Sequence, residues 1–144
     1  MKLTNNLRIH TDKNHKDLYN DLKSYAFGDM HEIFFLAASI GFQKHERKPL
    51  GKMRDDRFWS DTITPEEYSS YYAMVLDDND LQLESLKDDR KVLDIIEEYA
   101  NAGIIILIDE FLNDYLIDGC RIDKGTSKEL PKELLGYIMS RINE

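Results

Sequence analysis

Along most of the chain, apolar residues recur at spacings of three and four, the signature of helices with one buried face. Leu7 and Ile9 instead alternate with Arg8 and His10, which predicts a short N-terminal strand. Asp12 then reads as the N-cap of a first helix that places Leu18, Leu22 and Tyr25 on one face. A second helix starts at Asp29, with Glu32 three residues on to close a variant of the capping box. Ile33-Phe34-Phe35-Leu36-Ala37-Ala38 makes it apolar nearly all round, so it belongs at the centre of the fold, and Gly41 is expected as its left-handed C-cap. Gln43 to Arg57 has no helical period and carries Pro49 and Gly51, which predicts a long loop or a loop with a short hairpin.

The clearest start signal is Thr64, Pro65 and Glu67: N-cap, first-turn proline and capping-box acid. The helix it opens carries Tyr68, Tyr71, Tyr72, Val75 and Leu76, and should stop in Asp77-Asp78-Asn79-Asp80. A fourth helix is expected from Ser85–Asp89 through Val92, Leu93, Ile96, Tyr99 and Ala100, interrupted at Asn101-Ala102-Gly103. Residues 104–108 would suit a buried strand. Ile104, Ile108, Phe111, Leu112 and Tyr115 continue the three-four spacing, which favours helix up to a stop at Gly119. After a loop at 125–130, Pro131 to Ile142 reads as a last helix with Leu134, Leu135 and Ile138 inward. The fold class expected is mainly α: residues 1–144 as one compact domain of five or six helices, with at most a short N-terminal strand or hairpin.

Composition narrows the setting. Hydrophobic residues at 42% and charged residues at 33% suit a folded globular domain. Cys120 is the only cysteine, which excludes an internal disulfide and suggests a small buried side chain. Met1 to His10 lacks the apolar core of a signal peptide. The longest apolar run is about seven residues, against the roughly 20 that a bilayer requires. A cytoplasmic protein with no membrane contact is expected. The net charge of −9 is uneven: residues 1–57 hold 11 basic against 8 acidic side chains, residues 58–144 hold 8 against 20. An acidic second half argues against nucleic acid wrapped over the whole surface, because phosphate contacts come from Lys and Arg.

One basic stretch survives as a candidate site. Lys44, His45, Arg47, Lys48, Lys52, Arg54 and Arg57 fall within 14 residues, with Phe42, Phe58 and Trp59 at the edges. Converging cations with rim aromatics would suit phosphate and base contacts, or a protein partner for which Arg and Trp are favoured anchors. Glu46, Asp55 and Asp56 cut the local charge to +3, so the loop could equally pair with the chain's own acidic half. The candidate contact residues are Lys44, Arg47, Lys48, Lys52, Arg54, Arg57, Phe58 and Trp59.

Catalytic signatures are wanting. Glu46-Arg47-Lys48 with Asp29 upstream only superficially matches a metal-dependent nuclease, which needs its carboxylates on adjacent strands. Asp77 to Asp80 lacks the glycine and terminal glutamate of a calcium loop. His10, His15, His31 and His45 show no paired metal spacing, and Gly-rich phosphate loops, nucleophile elbows and zinc-binding helices are missing from the sequence. No catalytic residue, metal or cofactor is expected.

Three segments in order carry a resemblance: Asp29-Met30-His31-Glu32-Ile33-Phe34-Phe35-Leu36-Ala37-Ala38-Ser39-Ile40-Gly41-Phe42, then Arg47-Lys48-Pro49-Leu50, then Glu97-Glu98-Tyr99-Ala100-Asn101-Ala102-Gly103. Together they resemble DNA phosphorothioation-associated protein 4, also described as Dnd system-associated protein 4, over nearly the whole chain. Ala102 departs from the glycine that pattern has. The resemblance implies an accessory protein of a prokaryotic gene cluster that restricts phage DNA, and brings no catalytic residues with it. The expected function is a non-enzymatic accessory subunit docking on a larger ATPase or nuclease component, with DNA reached through the basic loop and a homo-oligomer allowed. The alternatives are a stand-alone nucleic-acid-binding or nuclease module using residues 43–58, and an acidic DNA-mimic regulator.

Overall fold

The computed structural model describes residues 6–26 and 28–143. Five α-helices and two small antiparallel sheets follow in the order β1 (Arg8–Asp12), α1 (Lys16–Tyr25), α2 (Met30–Gln43), β2 (Arg54–Trp59), α3 (Pro65–Asp78), α4 (Asp89–Glu110), β3 (Leu116–Ile117), β4 (Arg121–Ile122) and α5 (Leu130–Ile142). The mainly helical class and the N-terminal strand hold.

The most extensive contact joins α2 to α4. Its closeness is set by two glycines. A Cβ built on Gly41 would stand 2.1 Å from the Tyr99 carbonyl oxygen, and one on Gly103 would stand 1.6 Å from that of Ala37. Two expectations are corrected here. Gly41 lies within α2 and does not cap it, and Asn101-Ala102-Gly103 lies inside an unbroken 22-residue α4. Both glycines leave room for a neighbouring backbone, a need that local sequence does not distinguish from a helix stop. Ile104 to Ile108 is helical, and Ile104 and Leu107 are fully buried.

The capping box at Thr64 and Glu67 forms in both directions, and Tyr68, Tyr71 and Tyr72 are buried. Asp29 occupies the N-cap of α2 without a side-chain cap bond, so the box expected with Glu32 does not form. Asp12 accepts from the Asn14 N–H and caps a short 3-10 turn leading into α1.

β1 pairs antiparallel with β2, with Ile9 opposite Phe58 and a bulge between Ile9 and His10. The 44–53 loop therefore connects α2 to a strand that returns to the N-terminus, and no local hairpin forms within it. Backbone bonds hold it down: Lys48 N–H donates to the Glu98 carbonyl (3.0 Å), and Lys13 N–H to the Met53 carbonyl (3.0 Å). Buried Asn101 completes this tether by donating Nδ2 to the carbonyls of Lys48 (3.1 Å) and Pro49 (3.3 Å).

A buried carboxylate ties β1 to α4. Glu97 accepts from the His10 N–H (2.7 Å) and from Arg90 Nη2 (2.7 Å), while Arg90 Nη1 donates to the Arg8 carbonyl (3.0 Å). Asp21 of α1 does the same for β4, accepting from Arg121 Nε (2.8 Å) and the Ile122 N–H (3.0 Å).

The C-terminal third departs most from expectation. α4 ends at Glu110, and Gly119 lies in the β3–β4 turn, where Asp118 (φ 57°) and Gly119 (φ 76°) both adopt the left-handed region. Cys120 in that turn is exposed, not buried. On α5 Leu134 is buried and Ile138 half-buried, but Leu135 is 60% exposed and not inward as its apolar character suggested.

His15 supplies a pH dependence. Burial pushes its imidazole below the ordinary 6.5, and Lys48 adds to this while Asp12 opposes it. Below 6.5 the unfolded chain takes up a proton that the folded chain resists, so this group favours folding above 6.5 and that advantage fades as pH drops. Urea denaturation at pH 7.5 and 5.5 should show wild type losing stability relative to His15→Gln at the lower pH. An unchanged difference would contradict the burial.

Candidate functional site

The structure separates the eight candidate residues of the basic stretch. Arg57 is an interior side chain, 4% exposed, donating Nε to Thr11 Oγ1 (2.9 Å), Nη1 to Asn20 Oδ1 (3.4 Å) and Nη2 to the Asp55 carboxylate. Phe58 packs edge-on to Phe34 in the core, with ring centres 5.3 Å apart. Both hold the fold: as neighbours in β2 they point to opposite sides of the strand, Phe58 into the core and Arg57 against Thr11, Asn20 and Asp55, so each is already engaged within the chain.

Arg47 bridges two helices. It donates Nε and Nη2 to Glu98 of α4 (3.1 and 2.9 Å) and Nη1 to Asp78 of α3. Tyr99 donates its hydroxyl to the same Asp78 (3.1 Å), and burial, reinforced by that carboxylate, pushes the phenol up to about 12. Lys44 reaches Glu110 at 3.8 Å. Trp59 is 46% exposed, with the Arg8 guanidinium 4.5 Å from its ring centre. Lys48, Lys52 and Arg54 are exposed and have no ion pair among the described residues. The eight do not converge on one face, and half of them serve internal links.

Two other places have the shape of sites. The first is a polar cavity of about 510 Å³ between α1, β2 and the start of α2, lined by Lys16, Lys23, Asp29, His31, Asp55 and Arg57 among others. His31 Nδ1 lies 2.9 and 3.2 Å from the two carboxylate oxygens of Glu67. A carboxylate only accepts, so Nδ1 donates and carries the ring proton. Nε2 is 3.8 Å from Asp29 Oδ2.

The second is an apolar groove of about 200 Å³ between α2 and α5, lined by Leu36, Ile40, Ile138 and Ile142, with Gln43 and Arg141 in its wall. Gln43 and Arg141 fasten the two helices. Arg141 Nε donates to Gln43 Oε1 (3.0 Å), and Gln43 Nε2 donates to the Arg141 carbonyl (3.0 Å). Beside the groove, Leu135 (60% exposed), Met139 (52%) and Ile142 (69%) form an apolar stripe along α5. Their spacings of four and three place them on one helix face.

Family comparison bears on these surfaces. A family model described as DNA sulphur modification system-associated protein 4 matches residues 8–118. The chain belongs to this family. The matched span runs from the first residue of β1 into the β3–β4 turn. It contains the Gly41–Gly103 crossing, the polar cavity and the α2 wall of the groove, while α5 lies beyond it. Comparison with curated proteins and with solved structures gives no match.

No helix among the described residues is long and apolar enough to cross a membrane. The His31–Glu67 pair leaves no signal in the sequence because the partners are 36 residues apart and Glu67 already reads as a cap. The α5 stripe was legible in its spacing, but apolar character alone assigned Leu135 to the core.

Proposed function

We propose that this protein is a non-enzymatic accessory subunit of a prokaryotic anti-phage DNA-restriction system of the phosphorothioation-associated type, docking on a larger ATPase or nuclease component. The observation that carries this reading is the α5 stripe of Leu135, Met139 and Ile142 beside the α2/α5 groove. Contiguous exposed apolar side chains that flank an apolar groove suit a protein interface, and covering the half to two-thirds of each that is exposed is worth roughly 1–2 kcal/mol. The fate of the basic stretch supports the same choice. With Arg57 interior and Arg47 held by Asp78 and Glu98, few cations are left for phosphates, on a chain of net charge −9.

The docking contact therefore moves from the basic loop to the α2/α5 face. Lys48, Lys52, Arg54 and Trp59 remain as exposed groups for a secondary contact, with the partner or with DNA. In a capture assay with the system's large component, Leu135→Glu plus Met139→Glu should reduce binding at least about tenfold while circular dichroism and melting stay unchanged, since both side chains are already in water. Charge reversal at Lys48, Lys52 and Arg54 should cost much less. The opposite ranking would return the interface to the loop, and steeply salt-dependent DNA binding by the isolated chain would favour the nucleic-acid reading.

A further inference from the structure

We infer that Asp29, His31 and Glu32 form a binding site for a divalent first-row transition-metal ion at the mouth of the polar cavity, with Glu67 as the outer carboxylate that orients the histidine. One donor atom from each of the three lies within 4.8 Å of the others. This proposal is independent of the docking face and concerns the opposite end of α2.

The histidine decides it. Glu67, whose side chain is 10% exposed, accepts from Nδ1 and fixes the tautomer, which leaves Nε2 with a lone pair. Metal-bound histidines commonly have this second hydrogen bond to a carboxylate, which orients the ring and raises its basicity. Nε2 faces Asp29 Oδ2 at 3.8 Å, too long for a hydrogen bond, so two acceptors stand toward each other. A cation between them removes that conflict. Donor atoms about 2.1 Å from one ion at tetrahedral angles stand about 3.4 Å apart, so a few tenths of an ångström of side-chain motion brings the pair to bonding geometry.

Charge separates this reading from an anion site. A bare helix N-terminus attracts anions, but here the carboxylates of Asp29 and Glu32 already occupy that position and Glu67 stands behind. Three carboxylates around one imidazole outweigh the partial positive charge of the helix end and select a cation. Imidazole with carboxylates suits zinc or manganese, whereas calcium and magnesium favour all-oxygen sites. The protein supplies three ligands, so the remaining position opens on the cavity, where Lys16 and Lys23 line the wall.

The test is calorimetric titration of zinc chloride into the EDTA-stripped, untagged full chain at pH 7.5, alongside a long-range proton–nitrogen spectrum of the imidazoles. One equivalent should bind, and His31 Nε2 should shift while His10, His15 and His45 keep their resonances. His31→Gln should weaken binding at least about 30-fold and Glu32→Gln about tenfold. Glu67→Gln keeps Oε1, which accepts from both the Thr64 N–H and His31 Nδ1, and should weaken binding about tenfold through loss of the charge that raises the imidazole's basicity. Zinc that leaves His31 unmoved, as it would if captured at exposed Cys120, or an affinity indifferent to His31→Gln, overturns the proposal.

Discussion

Gly103→Ala should destabilise the protein by about 3 kcal/mol or more, seen as a fall of roughly 10 °C in melting temperature. The added Cβ would overlap the Ala37 carbonyl oxygen at 1.6 Å and approach Gly41 N at 2.9 Å. These obstacles are backbone atoms of a helix, so no rotamer change relieves them and α2 must move off α4. That movement opens the contact around which Phe34, Ala37, Ala38, Ile96 and Ala100 are buried. Gly41→Ala should behave similarly, against Tyr99 O at 2.1 Å. Gly136→Ala provides the contrast: it is an exposed position of α5 where an added Cβ meets nothing within 4 Å, and it should be neutral or stabilising by up to about 1 kcal/mol. Equal melting temperatures for Gly103→Ala and wild type would contradict the described helix crossing.

Arg90→Ala should cost about 2–4 kcal/mol at pH 7.5, toward the lower part of the range for broken buried pairs because Arg90 is itself 36% exposed. The loss comes from the carboxylate left behind. Glu97 is 1% exposed, and without Arg90 Nη2 it is left, among the described residues, with the His10 N–H and the His10 ring 3.4 Å away. Burial already pushes the Glu97 carboxyl above its ordinary 4.5, against the opposing pull of the His10 N–H and of Arg90. For a carboxyl raised on folding, the folded chain binds a proton that the unfolded chain does not, so stability is gained as pH falls through the folded value. Removing Arg90 takes away part of what holds it down. The cost of Arg90→Ala should therefore shrink as pH is lowered toward 4.5, and adding Glu97→Gln should recover part of it at pH 7.5. Urea denaturation of the two single variants and the double variant measures this coupling, and strict additivity would contradict it.

How much was legible in the sequence follows from the range of each signal. The capping box at Thr64 and Glu67, the helical run through Ile104–Ile108 and the strand at Leu7 to His10 are local patterns, and each formed. Gly41 and Gly103 read locally as stops because a glycine's local meaning is a turn, whereas each serves a neighbouring helix far away in sequence. The same limit applies to the sites. Arg57 reads as a loop residue and Phe58 as its edge because the strand that carries both pairs with β1, more than 40 residues earlier. His31 looked unpaired because its partner arrives on α3. Residue type alone places Cys120 and Leu135 inward, and the turn at Asp118-Gly119 and the outer face of α5 expose them. The family itself was visible in the Phe/Ala-rich helix and the Glu-Tyr-Ala-Asn segment, which pack on each other as the α2–α4 crossing.

The central claim, that this chain works as a docked subunit, is tested most directly by purifying it with a small affinity tag from its native host with the neighbouring genes intact. Light scattering gives the mass of the eluate, and mass spectrometry identifies the chains present. A stoichiometric complex with a larger ATPase or nuclease of the sulphur modification system, lost when Leu135 and Met139 are both glutamate, is the predicted result. A lone monomer or homodimer, unchanged by those substitutions, would contradict it.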